Sequence, residues 1–266
     1  MRKFLLSGTV LCTVIGAGSA MAADIPAPVY KEPMLAPPVF TWAGFYIGAN
    51  AGYAWSGSNS VNMTGTDTGG GGLGSALAGG GIPASIGLSA DGFIGGIQLG
   101  YNWQFGQWVY GLETDIQWVD GEDSATVRTN VPAFFPIRTS VSRELSWLGT
   151  LRARLGVTFT PTVLAYVTGG LAYGEHELAL SVVAPAAAPP MNSRATSRET
   201  LVGWTVGGGL EWALWENWSV KAEYLYYDLG DHDVTVGYAY GGNTSSLTAR
   251  SDVTGHIVRA GLNYRF

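Results

Sequence analysis

The stretch LSWLGTLRARLGVTF, residues 145–159, sorts its side chains onto two incompatible faces. At the two-residue period of a β-strand, Leu145, Trp147, Gly149, Leu151, Ala153, Leu155, Val157 and Phe159 share one side, and Ser146, Thr150, Arg152, Arg154 and Thr158 the other. The split recurs along the chain. Trp108, Tyr110, Leu112, Ile116 and Trp118 oppose Glu113, Asp115 and Gln117; Trp218, Val220, Ala222, Tyr224 and Tyr226 oppose Lys221 and Glu223; Val258, Ala260, Leu262, Tyr264 and Phe266 oppose Arg259, Asn263 and Arg265. Such faces cannot both lie in a dry core, because unpaired buried charges are strongly destabilising. An apolar face toward lipid and a polar face toward a narrow interior satisfies every strand together.

Eight stretches carry this alternation without proline: about 42–55, 90–104, 107–118, 145–159, 162–176, 201–213, 217–228 and 256–266. Proline-free runs are expected where every ladder donor is in use. The connections at 56–89, 119–144, 177–200 and 229–255 are long and rich in Gly, Ser, Thr, Asn and Pro, whereas those near 105–107, 160–162 and 214–216 are tight. Long loops at one end and tight turns at the other, with an even strand number, predict an all-β fold: an eight-stranded antiparallel transmembrane β-barrel spanning 42–266. No stretch shows a helical period, so GGGGLG at 69–74, which formally matches a dinucleotide fingerprint, is read as a flexible loop.

The ends and the composition agree with export to an envelope. Residues 1–22 carry Arg2 and Lys3, an apolar stretch and a small-residue site ending at Ala22, the layout of a cleaved signal peptide. The only cysteine, Cys12, lies in that leader, which removes disulfide, zinc-cysteine and cysteine-nucleophile chemistry from the mature chain. Residues 23–41, with Pro26, Pro28, Pro33, Pro37 and Pro38, predict an extended periplasmic linker. Without the leader, 12 basic residues face 20 acidic ones, a net charge of −8 that argues against nucleic acid as a partner. Only 13% of residues are charged, against about 25% in ordinary soluble domains.

Aromatic residues gather at both ends of the expected strands. Trp42, Trp103, Trp108, Phe159, Trp212, Trp215, Trp218 and Phe266 fall at the short-turn end, and Tyr53, Trp55, Trp118, Trp147, Tyr173, Tyr226 and Tyr227 at the long-loop end. Two such bands are what amphipathic rings at two membrane interfaces produce. The chain closes on Phe266 after an alternating run, which places that ring at the periplasmic interface.

TWAGFYIGANAGYAW (41–55), LRARLGVTF (151–159), YVTGGLAYG (166–174), GWTVGGGLEWAL with NWSVKAEYLYYDLG (203–230) and VRAGLNYRF (258–266) closely resemble the small alphaproteobacterial outer-membrane immunogenic, or porin-family, proteins. The resemblance implies a Gram-negative outer-membrane location and a barrel like the membrane domain of OmpA, here without an added peptidoglycan-binding domain. It also implies that Tyr264 and Phe266 form the signal read by the barrel-assembly machinery.

Eight strands enclose a space that side chains just fill. The inward positions Glu113, Asp115, Glu211 and Glu223, with Arg152, Arg154, Lys221, Arg259 and Arg265, predict a paired charge network that plugs the lumen. The function expected is therefore structural: envelope integrity, with surface loops presented to lipopolysaccharide, host surfaces or antibodies, and the linker within reach of peptidoglycan. A small-solute pore and a surface haem- or ligand-binding barrel are the alternatives. His176, His232 and His256 are the candidate ligands for the latter; no catalytic triad spacing, metal centre or cofactor is expected, and the chain is read as a non-enzyme.

Overall fold

A computed structural model of the chain describes residues 40–69, 71–131, 135–187 and 189–266. The leader and most of the linker lie outside the described residues. From Gly44 onward the chain is one antiparallel sheet: β1 (Gly44–Ser56), β2 (Ser60–Asp67), β3 (Ser85–Gly87), β4 (Gly92–Phe105), β5 (Trp108–Thr129), β6 (Ile137–Thr160), β7 (Val163–Ala184), β8 (Met191–Ala213), β9 (Trp218–Tyr240) and β10 (Asn243–Arg265). Among the described residues ten strands are present rather than eight, the extra two being β2 and β3, inside the connection read as a 56–89 loop. β1 pairs with β4 on one side and β10 on the other, so the pairings run in a closed circuit through eight strands, and β2 and β3 extend the sheet from β10.

The eight expected strands lie where the alternation placed them, but six run much further. β5 to β10 are 22 to 24 residues long, about twice β1, and convert the expected loops into extended hairpins. In these extensions β8 and β9 part company: their pairing stops at Trp204 opposite Asp228, while β7–β8 pairing continues to Met191 and β9–β10 pairing to Tyr240. Gly230 marks the fork with φ of 82°, a left-handed conformation that a side chain rarely adopts, and its amide is held by Asp228 Oδ1 at 2.9 Å.

Beyond the fork, β5–β8 and β9, β10, β2 and β3 enclose a dry core. Leu178, Leu180 and Val182 from β7 meet Val234 and Val236 from β9, Leu247 and Ala249 from β10, and Val61 and Met63 from β2. The helix α1 (Leu73–Ala78) seals it with Leu73 and Ala76. This helix occupies part of GGGGLG and corrects the reading of that run as a loop. Asp67 organises its first turn, accepting from the amides of Gly74 (2.9 Å) and Ser75 (2.6 Å).

Register shifts reset the faces. One falls between Trp118 and Gly121 where β5 meets β6, and another between Leu145 and Trp147 where β6 meets β7. Because a one-residue slip exchanges faces, Leu145 points inward beside Leu148 and not outward with Trp147.

Candidate functional site

Below the fork the outward face is apolar and the inward face polar. Ile47, Ile97, Leu99, Leu112, Leu151, Leu155, Val167, Leu171, Val206, Leu210, Val258 and Leu262 are exposed outward. Trp103, Trp108, Trp212, Trp218 and Phe266 lie on that face toward the tight-turn end, and Trp118 toward the other. Trp55 and Trp147 are half-buried near the fork, where Trp55 stacks on His256 and Trp147 packs edge-on against Tyr173. Two aromatics depart from the expectation. Tyr227 points inward, because it follows the outward Tyr226 in a strand. Trp42 is wholly buried at the tight-turn end, its indole N–H donating to the Pro161 carbonyl at 3.1 Å and its own amide donating to Gln104 Oε1 at 2.7 Å. It stands before β1 and folds beneath the interior rather than along the outer face.

The inward face brings together all nine charged residues expected there. Glu113 stands opposite Arg152, Glu211 opposite Lys221 and Glu223 opposite Arg259 in the strand register. Arg152 reaches Asp115 at 2.8 Å and Glu223 at 2.9 Å, and also pairs with Glu113. Arg259 reaches Asp115 at 2.9 Å and Glu223 at 2.6 Å, and Lys221 reaches Glu113 at 2.8 Å. Arg154 pairs with Glu211 at 2.7 Å, which also accepts from Ser219 (2.6 Å) and Asn263 (2.9 Å). Each carboxylate therefore has a cation and a further donor, or two cations, the condition under which buried charges are tolerated.

Arg265 sits at the edge of this set. Its nearest carboxylate, Glu211, is 3.8 Å away, and its guanidinium instead lies 4.7 Å from the Trp42 ring centre and 5.2 Å from that of Phe40, donating to the Thr41 carbonyl at 3.0 Å. Arg265, Trp42 and Phe40 thus close the interior at the tight-turn end.

Two tyrosines belong to the network that charge counting missed. Tyr46 donates to Glu113 Oε2 at 2.7 Å and accepts from Arg154 at 3.0 Å, and Tyr166 donates to Glu223 at 3.0 Å while its ring lies 4.0 Å under Arg154. The signal was parity: Tyr46 sits between the outward Phe45 and Ile47. Gly100 makes room for it, since a Cβ there would collide with the Tyr46 ring.

The histidines do not form one site. His176 and His232 meet in the interior just beyond the fork, Nδ1 to Nδ1 at 2.7 Å, and His232 Nε2 lies 3.0 Å from Ser197 Oγ. His232 is a buried strand residue. His256 stands apart on the outer face, 2.7 Å from the Tyr224 hydroxyl. Burial first, then the neighbouring His232 and Arg143, push His176 down to about 3, and burial also lowers His232. Among the described residues no cluster of three His, Cys, Asp or Glu is arranged to hold a metal.

Comparison with known proteins matches this pattern to a family. Residues 10–266 match the family model for the outer membrane protein beta-barrel domain. The chain is 37% identical to the 31 kDa outer-membrane immunogenic protein of Brucella melitensis biotype 1, over 94% of this chain and 95% of that one. It is 27% identical to the 25 kDa outer-membrane immunogenic protein of Brucella abortus biovar 1, over 94% and 92% of the two chains. Among solved structures, the outer membrane protein OprG of Pseudomonas aeruginosa aligns at 14% identity over 84% of this chain and 97% of that one, with a TM-score of 0.42. The location read from the sequence, the Gram-negative outer membrane, holds. On the family match and the near full-length likeness to the 31 kDa protein, this chain belongs to the outer membrane protein β-barrel domain family.

Proposed function

We propose that the closed circuit of eight strands is a transmembrane barrel with a plugged interior, and that the protein is a non-enzymatic scaffold of the outer membrane bearing a rigid surface head. Ten residues separate Trp108 from Trp118 on β5. At about 3.3 Å per residue and a tilt of about 40°, they span about 25 Å along the membrane normal. That height matches the apolar band of such barrels and supports a span ending at the fork.

The observation that carries the plug is the side-chain exposure of the interior charges: Arg152, Asp115, Glu223, Lys221 and Arg259 are each at 0%, and Glu113 at 2%. Side chains packed to that degree support a closed interior. The closed tight-turn end, under Trp42, supports the same reading. The interior carboxylates face cations and the paired histidines sit apart from them, an arrangement that supports a structural role.

Above the membrane, the dry core under α1 gives the hairpins a fixed shape. The relatives are named for immunogenicity, and a fixed surface shape of this kind supports an antigenic or adhesive role, with lipopolysaccharide as the lateral neighbour. Phe266, exposed outward with its amide donating to the Phe45 carbonyl at 3.0 Å, stands where the assembly machinery would read it together with Tyr264. Contact with peptidoglycan remains assigned to the linker, outside the described residues. Liposome swelling tests the plug: vesicles bearing the refolded protein should resist swelling in small sugars as protein-free vesicles do, and swelling in proportion to protein would replace the scaffold with a solute pore.

A further inference from the structure

A small cavity of about 20 Å³ lies between the paired histidines and the end of β1, lined by Ser56, Arg143, His176, Tyr227 and Thr254 among others. That is room for a single water or an ion of similar size. The lining is unusual in its charge. Arg143 is buried, yet its guanidinium donates only to uncharged acceptors: the carbonyls of Ser58 (3.2 Å) and Leu88 (3.3 Å) and the hydroxyls of Ser56 (2.6 Å) and Ser251 (3.3 Å). Among the described residues no carboxylate forms an ion pair with it; the acids that act on it, Asp91 and Asp123, do so from a distance. Among the described residues every other buried arginine or lysine has a carboxylate within 4 Å. A buried guanidinium without a counter-charge is costly.

The other polar lining groups are Ser56, His176, Tyr227 and Thr254, beside the apolar Ala90, Leu145 and Val253. Tyr227 is buried, and its hydroxyl makes no hydrogen bond among the described residues. His176 Nε2 is also buried without a partner. Where Ser197 O–H donates to His232 Nε2 and His232 Nδ1–H to His176 Nδ1, the His176 proton lies on Nε2; the reversed chain would leave Nε2 an acceptor. In the first arrangement Arg143, His176 Nε2–H, Tyr227 O–H and the Thr254 hydroxyl line one cavity with donors and a positive charge, while the Ser56 hydroxyl, which accepts from Arg143, donates to the Ser58 carbonyl at 2.7 Å.

We infer that this cavity is a binding site for a small monovalent anion of the halide class, which neutralises Arg143 and ties the surface head to the barrel at the fork. The anion supplies the counter-charge that no side chain supplies. It also joins β1, β6, β7, β9 and β10 where the sheet divides, so its binding stabilises the folded head.

The test uses the full mature chain refolded in detergent. Its heat-unfolding midpoint is followed in sodium chloride, sodium bromide and sodium gluconate at equal ionic strength, gluconate being too large for the cavity. Chloride and bromide should raise the midpoint saturably and gluconate should not. Tyr227→Phe, which keeps the ring and removes one donor, should raise the half-saturating chloride concentration about tenfold; Arg143→Met should abolish the response. Should Arg143→Met fail to fold, bromide-soaked crystals of the unaltered protein decide, with an anomalous peak beside Arg143 expected. Equal midpoints in gluconate and chloride, an unchanged half-saturation in Tyr227→Phe, or a cavity holding only water in bromide would each overturn the assignment.

Discussion

Replacing Arg152 by Met removes the central cation of the interior while keeping a long apolar stem. Three carboxylates then lose a partner: Glu113, Asp115 at 2.8 Å and Glu223 at 2.9 Å. Lys221 and Arg259 remain, so three acids share two close cations, with Arg154 more distant from Glu113 at 3.6 Å. Breaking a buried pair in this way costs about 3–5 kcal/mol, because the stranded charge stays desolvated. Removing a carboxylate as well should restore the balance: Arg152→Met with Asp115→Asn should be more stable than Arg152→Met alone by at least about 1 kcal/mol, the scale of coupling between residues in one network. Urea unfolding in lipid vesicles, followed by the fluorescence of the ten tryptophans, measures both. A single variant within about 0.5 kcal/mol of the unaltered protein, or a double variant that is the sum of its parts, would show that the interior charges do not act as one network.

Three further outcomes follow. Trp42→Ala should destabilise the protein by about 3–5 kcal/mol, the usual loss for a buried tryptophan, and should make the Arg265 side chain reactive to arginine-directed reagents, read by mass spectrometry. The His176 pKa is lowered to about 3 in the folded protein, below its unfolded value of about 6.5, so the unfolded chain takes up the proton first. Its contribution to stability is whole above about pH 6.5 and declines as pH falls toward 3; the unfolding midpoint between about pH 7 and 4.5 should drop more steeply in the unaltered protein than in His176→Phe. Arg198, exposed and paired with Glu177 and Glu175 on the outer face of the extended hairpins, is a contrasting case: Arg198→Ala should leave the unfolding midpoint unchanged, since screened surface pairs contribute little.

The membrane-level strands were legible because lipid and a polar interior impose opposite demands at a fixed period of two. Glu113, Arg152, Glu223 and Arg259 could be assigned to one face without knowing their partners. The head was not legible for the same physical reason run in reverse. On β7 the outward residues Val167 and Leu171 are apolar below the fork, whereas above it the inward Leu178, Leu180 and Val182 are apolar and Glu177 and Ser181 turn outward. The alternation continues, but its polarity inverts near His176, and an apolar-in, polar-out run rich in Ser and Thr reads as loop when lipid-facing strands are the template. Leu145 shows the second difficulty: Leu145, Trp147 and Leu151 keep one parity in sequence, and the register shift between Leu145 and Trp147 sends the first of them inward. Trp42 shows a third, since no periodicity informs a residue that precedes its strand. The histidine pair depends on two strands, β7 and β9, that are not neighbours in the sheet, and spacing along the chain does not reveal such a meeting.

The central claim is that an ion-paired interior closes this barrel, and single-channel recording in planar bilayers tests it most directly. The refolded mature protein, with folding verified by its heat-dependent gel shift, should give a silent bilayer, whereas Trp42→Ala combined with Arg152→Met should give discrete openings. Reproducible open-channel steps from the unaltered protein would contradict the plug and with it the scaffold function.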